Sequence, residues 1–534
     1  MGVLKVSHGR RSTLSFVIAA TLLLAIPFHV RPANFIVDDG FFYPQIARFI
    51  AHGQGSTFNG WMPTDGYHPL WMIVCVLAAK ITSQSTALLQ ILGGVGDLLI
   101  LFSLIVLVKF AEVDRKRGVF AGVILLLFMS MVLANWRLLE TDLALALQIA
   151  TLAVVVPIFP TVQARLGRWR NVALGTLLGL VMLSRLDLVF FAATVLSYQL
   201  FSRRESVSVS SRIRSTFVQG LIATILVLPY FVWNYRSFHH LEPVSGAIKS
   251  TFPHINRHPG LSAIVFLIPV GFLLVAPLLF RKNRTLYDEI ALLAGAAAVL
   301  HYIYTVSFGF MCTWYPTSGF ICLAMGLIFW TDIVLRRFSI PYWLEIAAAT
   351  CLVAVLIVAA ALRTASNLTF TRLLAGRVSI HDKYLQPDRA LAIKLDETLP
   401  ANSRIFVYDG PGGVAFYSKM SILPVDGLVA DYAYNDEVVR DGFARYAAEH
   451  DIDYVVAPYL KPGQVYDELG LREMRVAGGQ TMDVEAPLTH KAAGRVMLQD
   501  VDLLFRIGTT SPGFEATLPE LGVWRLEHNM VPKR

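Results

Sequence analysis

The sequence predicts an α-helical polytopic membrane protein with about eleven crossings, followed by a small α/β domain outside the membrane. Three observations predict it. The 534 residues are 55% hydrophobic and only 16% charged, with a mean hydropathy of +0.56, far from the values of soluble globular proteins. Apolar runs of the roughly 20 residues needed to cross about 30 Å of hydrocarbon recur from residue 13 to about residue 364. Beyond that point the composition turns globular, so residues 1–364 are expected to form the membrane domain and 365–534 an outer domain.

The first apolar run, Leu14 to Val30, follows Lys5, Arg10 and Arg11, and no small-residue cleavage site follows it. It therefore reads as a signal anchor that leaves the N-terminus in the cytoplasm, not as a cleaved signal peptide. Short basic segments occur at 1–12, 109–117, 161–170, 202–214, 281–284 and 335–338. Lys and Arg favour cytoplasmic loops, and placing all six on that side demands alternating spans between them. The spans fall near 13–30, 86–108, 118–134, 143–159, 171–184, 188–201, 216–234, 261–280, 287–308, 317–334 and 342–363.

Parity settles two ambiguous stretches. Leu70 to Ile81 is too short to cross and would invert every later loop, so it is assigned to an interfacial helix in the first outer loop. Residues 171–201 have basic segments at both ends and so form a hairpin that turns at Ser184-Arg185-Leu186-Asp187. The outer face then collects 31–85, 135–142, 184–187, 235–260, 309–316 and the tail. The tail alternates helix and strand: a helix at 388–399 ended by Pro400, a strand at RIFVYD, a Gly-rich turn, a helix near 436–449 and a strand at DYVVAP. Asp409-Gly-Pro-Gly-Gly lacks the Gly-Lys-Ser/Thr ending of a phosphate cradle and reads as a tight turn.

Several function classes drop out on composition. The net charge of +8 is carried by basic residues at the ends of apolar runs, where lipid headgroups and topology account for them, so no nucleic-acid partner is implied. Cys75, Cys312, Cys322 and Cys351 lie in or beside apolar segments without metal spacing and read as core residues. His254 and His258 form a lone i,i+4 pair with no acidic partner and read as loop structure.

The densest polar information lies in residues 37–71, VDDGFFYPQIARFIAHGQGSTFNGWMPTDGYHPLW. Asp38 and Asp39 stand directly after a span, ahead of an amphipathic helix from Phe41 to Ala51, a Gly-rich turn and a second element starting at His68-Pro69-Leu70-Trp71. Ionisable groups this close to hydrocarbon need pairing or a function. A helix N-cap is the competing reading of the acidic pair, with equal weight on these residues alone.

This order of span, acidic pair, interfacial helix and Pro-Leu-Trp segment resembles the GT-C superfamily of membrane glycosyltransferases. That superfamily includes protein O-mannosyltransferases, lipid A aminoarabinose transferases and rhizobial lipopolysaccharide sugar transferases, and the first loop is similar to a prokaryotic DDxFYY-type subgroup. The resemblance implies a GT-C fold and an inverting transfer of a hexosyl or pentosyl group from a polyprenyl-phosphate donor to a glycan, lipid or protein acceptor of the cell envelope. It places that reaction at the non-cytoplasmic face of the plasma or inner membrane. Asp38 matches the leading acidic position and takes the role of base, with Asp39 orienting the acceptor or holding a metal and an exchange of the two roles left open. A base at the nucleophile contributes typically about 10²- to 10⁴-fold in rate.

The later motifs are weaker. LETD resembles a Met-Glu-Thr motif, which puts Glu140 with the catalytic acids and leaves Asp142 as a substrate-binding residue or a helix cap. Charge developing on the leaving phosphate calls for fixed cations. SRLD resembles Arg-Pro-Asp with Leu186 in the proline place and offers Arg185 and Asp187, or a mere intramembrane pair, while HLEPVSGAIK offers Lys249 beside Arg236, His239 and His240. Tyr43, His68, and Trp314 with Tyr315 in CTWYP complete the substrate-binding candidates, although aromatics like the last two also form interfacial belts. Asp38, Asp39 and Glu140 are hard oxygen ligands that would suit Mg²⁺ or Mn²⁺ if the reaction uses one. The rival class is a polytopic transporter or a flippase for lipid-linked sugars, which would spread charge through the middle of several spans and show inverted repeats; neither feature is found.

Overall fold

A computed structural model describes residues 7–30, 32–112, 137–156, 166–201, 208–255, 267–282, 286–309, 314–338, parts of 341–358, 387–407, 411–462, 465–468, 471–488, 491–507 and 520–526. The first part is helical throughout: α1 (Ser7–Val30), α2 (Asp38–Ala51), α3 (Pro69–Ile81), α4 (Ser85–Glu112), α5 (Thr141–Val155), α6 (Arg170–Ser184), α7 (Val189–Phe201), α8 (Val209–Phe238), α9 (Val244–Ile248), α10 (Leu267–Val275), α11 (Leu286–Phe308) and α12 (Thr317–Arg337). Among the described residues, three helices are long and apolar enough to cross a membrane by length and composition: Ser85–Lys109 within α4, α8 and α11. The expected span at 118–134 lies outside the described residues, as do residues 261–266 of the one at 261–280 and much of that at 342–363.

Helices form at the residues of both stretches decided by parity. α3 covers Pro69–Ile81, starting where Pro69 supplies a fixed φ at the first helical position. α6 ends at Ser184, a single 3₁₀ turn runs over Leu186–Leu188, and α7 begins at Val189. The break is built at Arg185, whose extended backbone (φ −157°, ψ 120°) interrupts the helix. α1 packs on α4, α4 on α5, α5 on α6 and α6 on α8, while α7 lies on α11, and α10 on α11 and α12.

The tail contains α13 (Pro387–Thr398), β1 (Arg404–Val407), α14 (Pro411–Tyr417), β2 (Ser421–Pro424), α15 (Tyr432–Asp441), α16 (Phe443–Glu449) and β3 (Ile452–Pro458). It continues with β4 (Val465–Glu468), β5 (Leu471–Val476), β6 (Gly479–Ala486), β7 (Lys491–Gln499), β8 (Leu503–Ile507) and β9 (Leu521–Arg525). One sheet has the order β2-β1-β3-β9-β8, with β1 parallel to β2 and β3 and with β9 antiparallel to β3. A second, antiparallel sheet runs β4-β5-β6-β7. The early alternation of helix and strand was legible; the second sheet was not among the expected elements, although β6 alternates buried Met482, Val484 and Ala486 with Thr481, Asp483 and Glu485. The Gly-rich turn needs correcting: Pro411-Gly412-Gly413 starts α14, whereas Asp409 and Gly410 lie outside the described residues.

The buried interior does not stop at the end of the helical part. Phe41, Phe42 and Trp71 belong to the same apolar cluster as Val414, Phe416, Ile405 and Val523. Gly40 shows how closely α2 is set against its neighbours, because a Cβ there would stand 2.8 Å from the Arg137 carbonyl oxygen and 2.7 Å from Ile36 Cγ2. Gly40→Val should therefore cost about 1–3 kcal/mol of stability through overpacking. The expected readout is a lowered thermal midpoint in detergent with no change for an exposed control such as Lys394→Ala.

Candidate functional site

Two cavities meet at the end of the helical part that faces the tail. The larger, about 410 Å³, is lined by Arg185, Asp187, Phe190, His301 and Tyr304 together with α9 and its neighbours. The smaller, about 40 Å³, is lined by Asp39, Tyr43, Glu140, Trp314 and Leu428. Four residues, His68, Ser245, Lys249 and Tyr315, line both. The smaller space holds a water or two, given the ~30 Å³ each occupies in the liquid.

A buried chain of charges joins them. Arg185, 1% exposed, donates from Nη1 to Glu140 Oε1 at 2.9 Å and, bidentately, from Nε and Nη2 to Asp187 at 3.1 and 2.6 Å. His301 Nε2 lies 3.2 Å from Asp187 Oδ2, and Tyr43 donates to Glu140 Oε2 at 2.8 Å. Burial alone would raise the Asp187 carboxyl, but Arg185 and His301 outweigh it and hold the group well below the usual carboxylate range. Asp187 thus stays ionised, which an unpaired carboxylate at this depth would not. The Arg185 guanidinium also lies 4.2 Å from the Tyr315 ring centroid, and Lys249 Nζ donates to the Tyr315 hydroxyl at 2.9 Å.

Asp38 and Asp39 occupy the first turn of α2, where the helix dipole favours negative charge, but neither side chain caps that helix; the N-cap is Val37. Being consecutive on a helix, they face different ways. Asp39 looks into the smaller cavity. Burial pushes its carboxyl above the usual value, Lys249 pulls it back down and Glu140 adds to the rise. Asp38 lines neither cavity: its Oδ1 accepts from the backbone N–H groups of Gly412 at 2.8 Å and Gly413 at 3.2 Å, in the tail. The residue given the role of base from sequence is thus turned away from the cavities, and its neighbour is turned towards them. His68 has its Nδ1 buried without a hydrogen-bond partner, and burial holds its imidazole below the ordinary value despite Glu140 3.7 Å away.

Supporting groups fix the loops that present these side chains. Asp65 is fully buried, accepting from Val244 N at 3.0 Å and Asn234 Nδ2 at 2.9 Å, and so ties the start of α9, hence Lys249, to the first loop. The loop carrying Glu140 is held by Trp71 Nε1 donating to the Leu138 carbonyl at 2.7 Å and by the buried pair of Arg137 with Asp97, which also meets His29. Sequence reasoning missed Asp65, His301, Ser245 and Leu428 as site-forming residues. Asp65 lay inside the quoted PTDGYHPLW segment, whereas His301 is one histidine in an apolar run and carried no signal.

Other expectations are corrected. Asp142 is buried in the first turn of α5 with Oδ2 against Gly96 and lines neither cavity. The proposed oxygen ligands do not converge: Glu140 is engaged by Arg185 and Tyr43, Asp38 by the Gly412 and Gly413 amides, and among the described residues no three His, Cys, Asp or Glu side chains are arranged to hold a metal. Asp38, Asp39 and Glu140 therefore do not fit a metal site in this arrangement. His240 stacks on Tyr432 at 3.7 Å between centroids, and His239 caps α8 in the left-handed region; neither lines the cavities.

The arrangement of helices is similar to that of a solved structure, ArnT from Cupriavidus metallidurans bound to undecaprenyl phosphate, with a TM-score of 0.50 and 14% identity over 83% of this chain and 92% of that one. The fold is ArnT-like. The apo state of the same ArnT matches with a TM-score of 0.50 and 15% identity over 84% of this chain and 93% of ArnT. At such identities the likeness to ArnT is a likeness of fold alone, helical with strands towards the C-terminus. No family model and no curated protein matches the chain.

The charge chain is testable by stability. Arg185→Met would leave Glu140 and Asp187 buried without their shared cation, and breaking a buried pair from one side costs about 3–5 kcal/mol. The variant should elute as aggregate or melt far below wild type in detergent, whereas Asp97→Asn, which keeps a hydrogen-bond acceptor for Arg137, should lose less.

Proposed function

We propose that the protein is an inverting glycosyltransferase that moves a sugar from a polyprenyl-phosphate donor to an acceptor of the cell envelope, at the non-cytoplasmic face of the membrane. The observation that carries the reading is the junction of the two cavities: the larger sets Arg185 and Lys249 beside Asp187, Glu242 and an apolar wall, the smaller offers Asp39 and Glu140, and Lys249 borders both. The ArnT structure with undecaprenyl phosphate supports the choice of donor class.

In this mechanism the donor's lipid phosphate lies in the larger cavity. Lys249, oriented by the Tyr315 hydroxyl, meets the charge that grows on the phosphate oxygens as the glycosidic bond breaks. Arg185 adds fixed positive charge but is engaged by Glu140 and Asp187, so its part is to set the potential and shape the pocket. The acceptor hydroxyl enters the smaller cavity, attacks the anomeric carbon from the face opposite the phosphate and gives its proton to Asp39. Glu140, with Tyr43 and Arg185 on its two oxygens, is a positioning residue, and Trp314 and Tyr315 wall the sugar site. Residues 1–364 are the catalytic membrane domain and 365–534 the outer domain, with the N-terminus cytoplasmic.

Purified protein incubated with a panel of polyprenyl-phosphate sugars and cell-envelope extract should transfer one of them. Asp39→Asn should lower kcat by about 10²- to 10⁴-fold while leaving undecaprenyl phosphate binding in place; unchanged transfer in that variant defeats the assignment. Because the base works only when ionised and its carboxyl is raised by burial, transfer should rise with pH through a midpoint above the ordinary ~3.9 of aspartate. A topology reporter fused after residue 365 should lie outside the cytoplasm, and a cytoplasmic signal would overturn the orientation.

A further inference from the structure

The tail is joined to the catalytic helix by a pair of complementary contacts at the two ends of α14. Pro411 has no N–H, so the first free donors of that helix are Gly412 and Gly413, and both point at Asp38 Oδ1. At the other end, Arg48 donates from Nη1 to the Phe416 carbonyl at 2.8 Å, with its guanidinium 3.8 Å from the Phe416 ring centroid. A carboxylate at the positive end of α14 and a guanidinium at its negative end both come from α2, ten residues apart on one helix. The fit is close: a Cβ on Gly412 would collide with the Asp38 carbonyl oxygen and stand 3.0 Å from Asp38 Oδ1 and from Phe42 Cδ1.

We infer that Asp38 is a positioning residue, which holds α14 of the tail against the first turn of α2 and thereby keeps Asp39 aimed into the smaller cavity. Asp38 and Asp39 share one turn of helix, so a displacement of the first by the tail moves the second relative to Lys249 and Glu140. The tail is then part of the catalytic centre through backbone contact. This rests on the reading of Asp39 as the base; the contact between α2 and α14 does not.

Asparagine keeps an oxygen that accepts from both amides, and Asn and Asp serve almost equally as helix N-caps. Asp38→Asn should therefore keep transfer within about threefold of wild type, whereas Asp38→Ala and Gly412→Ala should each lower kcat by about tenfold or more with undecaprenyl phosphate binding unchanged. Asp38→Ala should also shift the pH midpoint of transfer, because Asp39 moves relative to Lys249. An Asp38→Asn variant as inactive as Asp39→Asn would make Asp38 the base and overturn the inference, as would wild-type kcat in both Asp38→Ala and Gly412→Ala. Limited trypsin digestion of the full chain in detergent decides the contact even when wild type transfers nothing from the panel. Cleavage between the helical part and the tail should be faster in Asp38→Ala and Gly412→Ala than in wild type and Asp38→Asn, and equal rates in all four would overturn the clamp.

Discussion

Arg185 is the residue on which the rest of the site depends. It is almost wholly buried, and it is shared by a carboxylate from the loop before α5, Glu140, and one from its own turn, Asp187. An isolated guanidinium or carboxylate at this depth would carry a desolvation penalty larger than any single contact returns. The three groups are therefore viable only together. Their union fixes the loop after Arg137, the hairpin turn between α6 and α7 and, through Tyr43 and His301, the helices α2 and α11. The cavities exist in the angles between those elements.

The charges around the cavities do not balance. Arg185 and Lys249 face Asp39, Glu140, Asp187 and Glu242, so the walls hold more carboxylates than fixed cations. Burial raises Asp39, and Glu140 adds to the rise, as expected where carboxylates crowd and water is scarce. Glu140 and Asp187 both engage Arg185, while Lys249 donates to the Tyr315 hydroxyl. The placement of Lys249 depends on α9 and hence on Asp65, a carboxylate that touches no cavity-lining charge directly.

Much of this was legible in the sequence because it follows from rules that act locally. Lys and Arg at the ends of apolar runs pointed to a break between α6 and α7 and to a separate short helix at α3, and helices form at those residues. Glu140, Arg185, Asp187, Lys249, His68, Tyr43, Trp314 and Tyr315 were chosen as candidates, and each lines at least one of the two cavities. What sequence left open was direction. Nothing in VDDGFF says which of two adjacent aspartates faces inward, because that is decided 374 residues later by two glycine amides. Asp142 failed for a similar reason: its spacing from Glu140 turns it around the helix, away from the cavities and onto Gly96.

α6 has 15 residues. At about 1.5 Å per residue it reaches only about 22 Å, short of the ~30 Å of hydrocarbon in an average bilayer. For a chain set in the membrane as proposed, this mismatch draws the lipid surface inward beside the hairpin. The thinning would bring headgroups down to the depth of the Arg185 turn, so a long-chain lipid could present its phosphate to the larger cavity while its tail stayed among the acyl chains. The shortness of α6 would then set the height at which an amphipathic substrate enters.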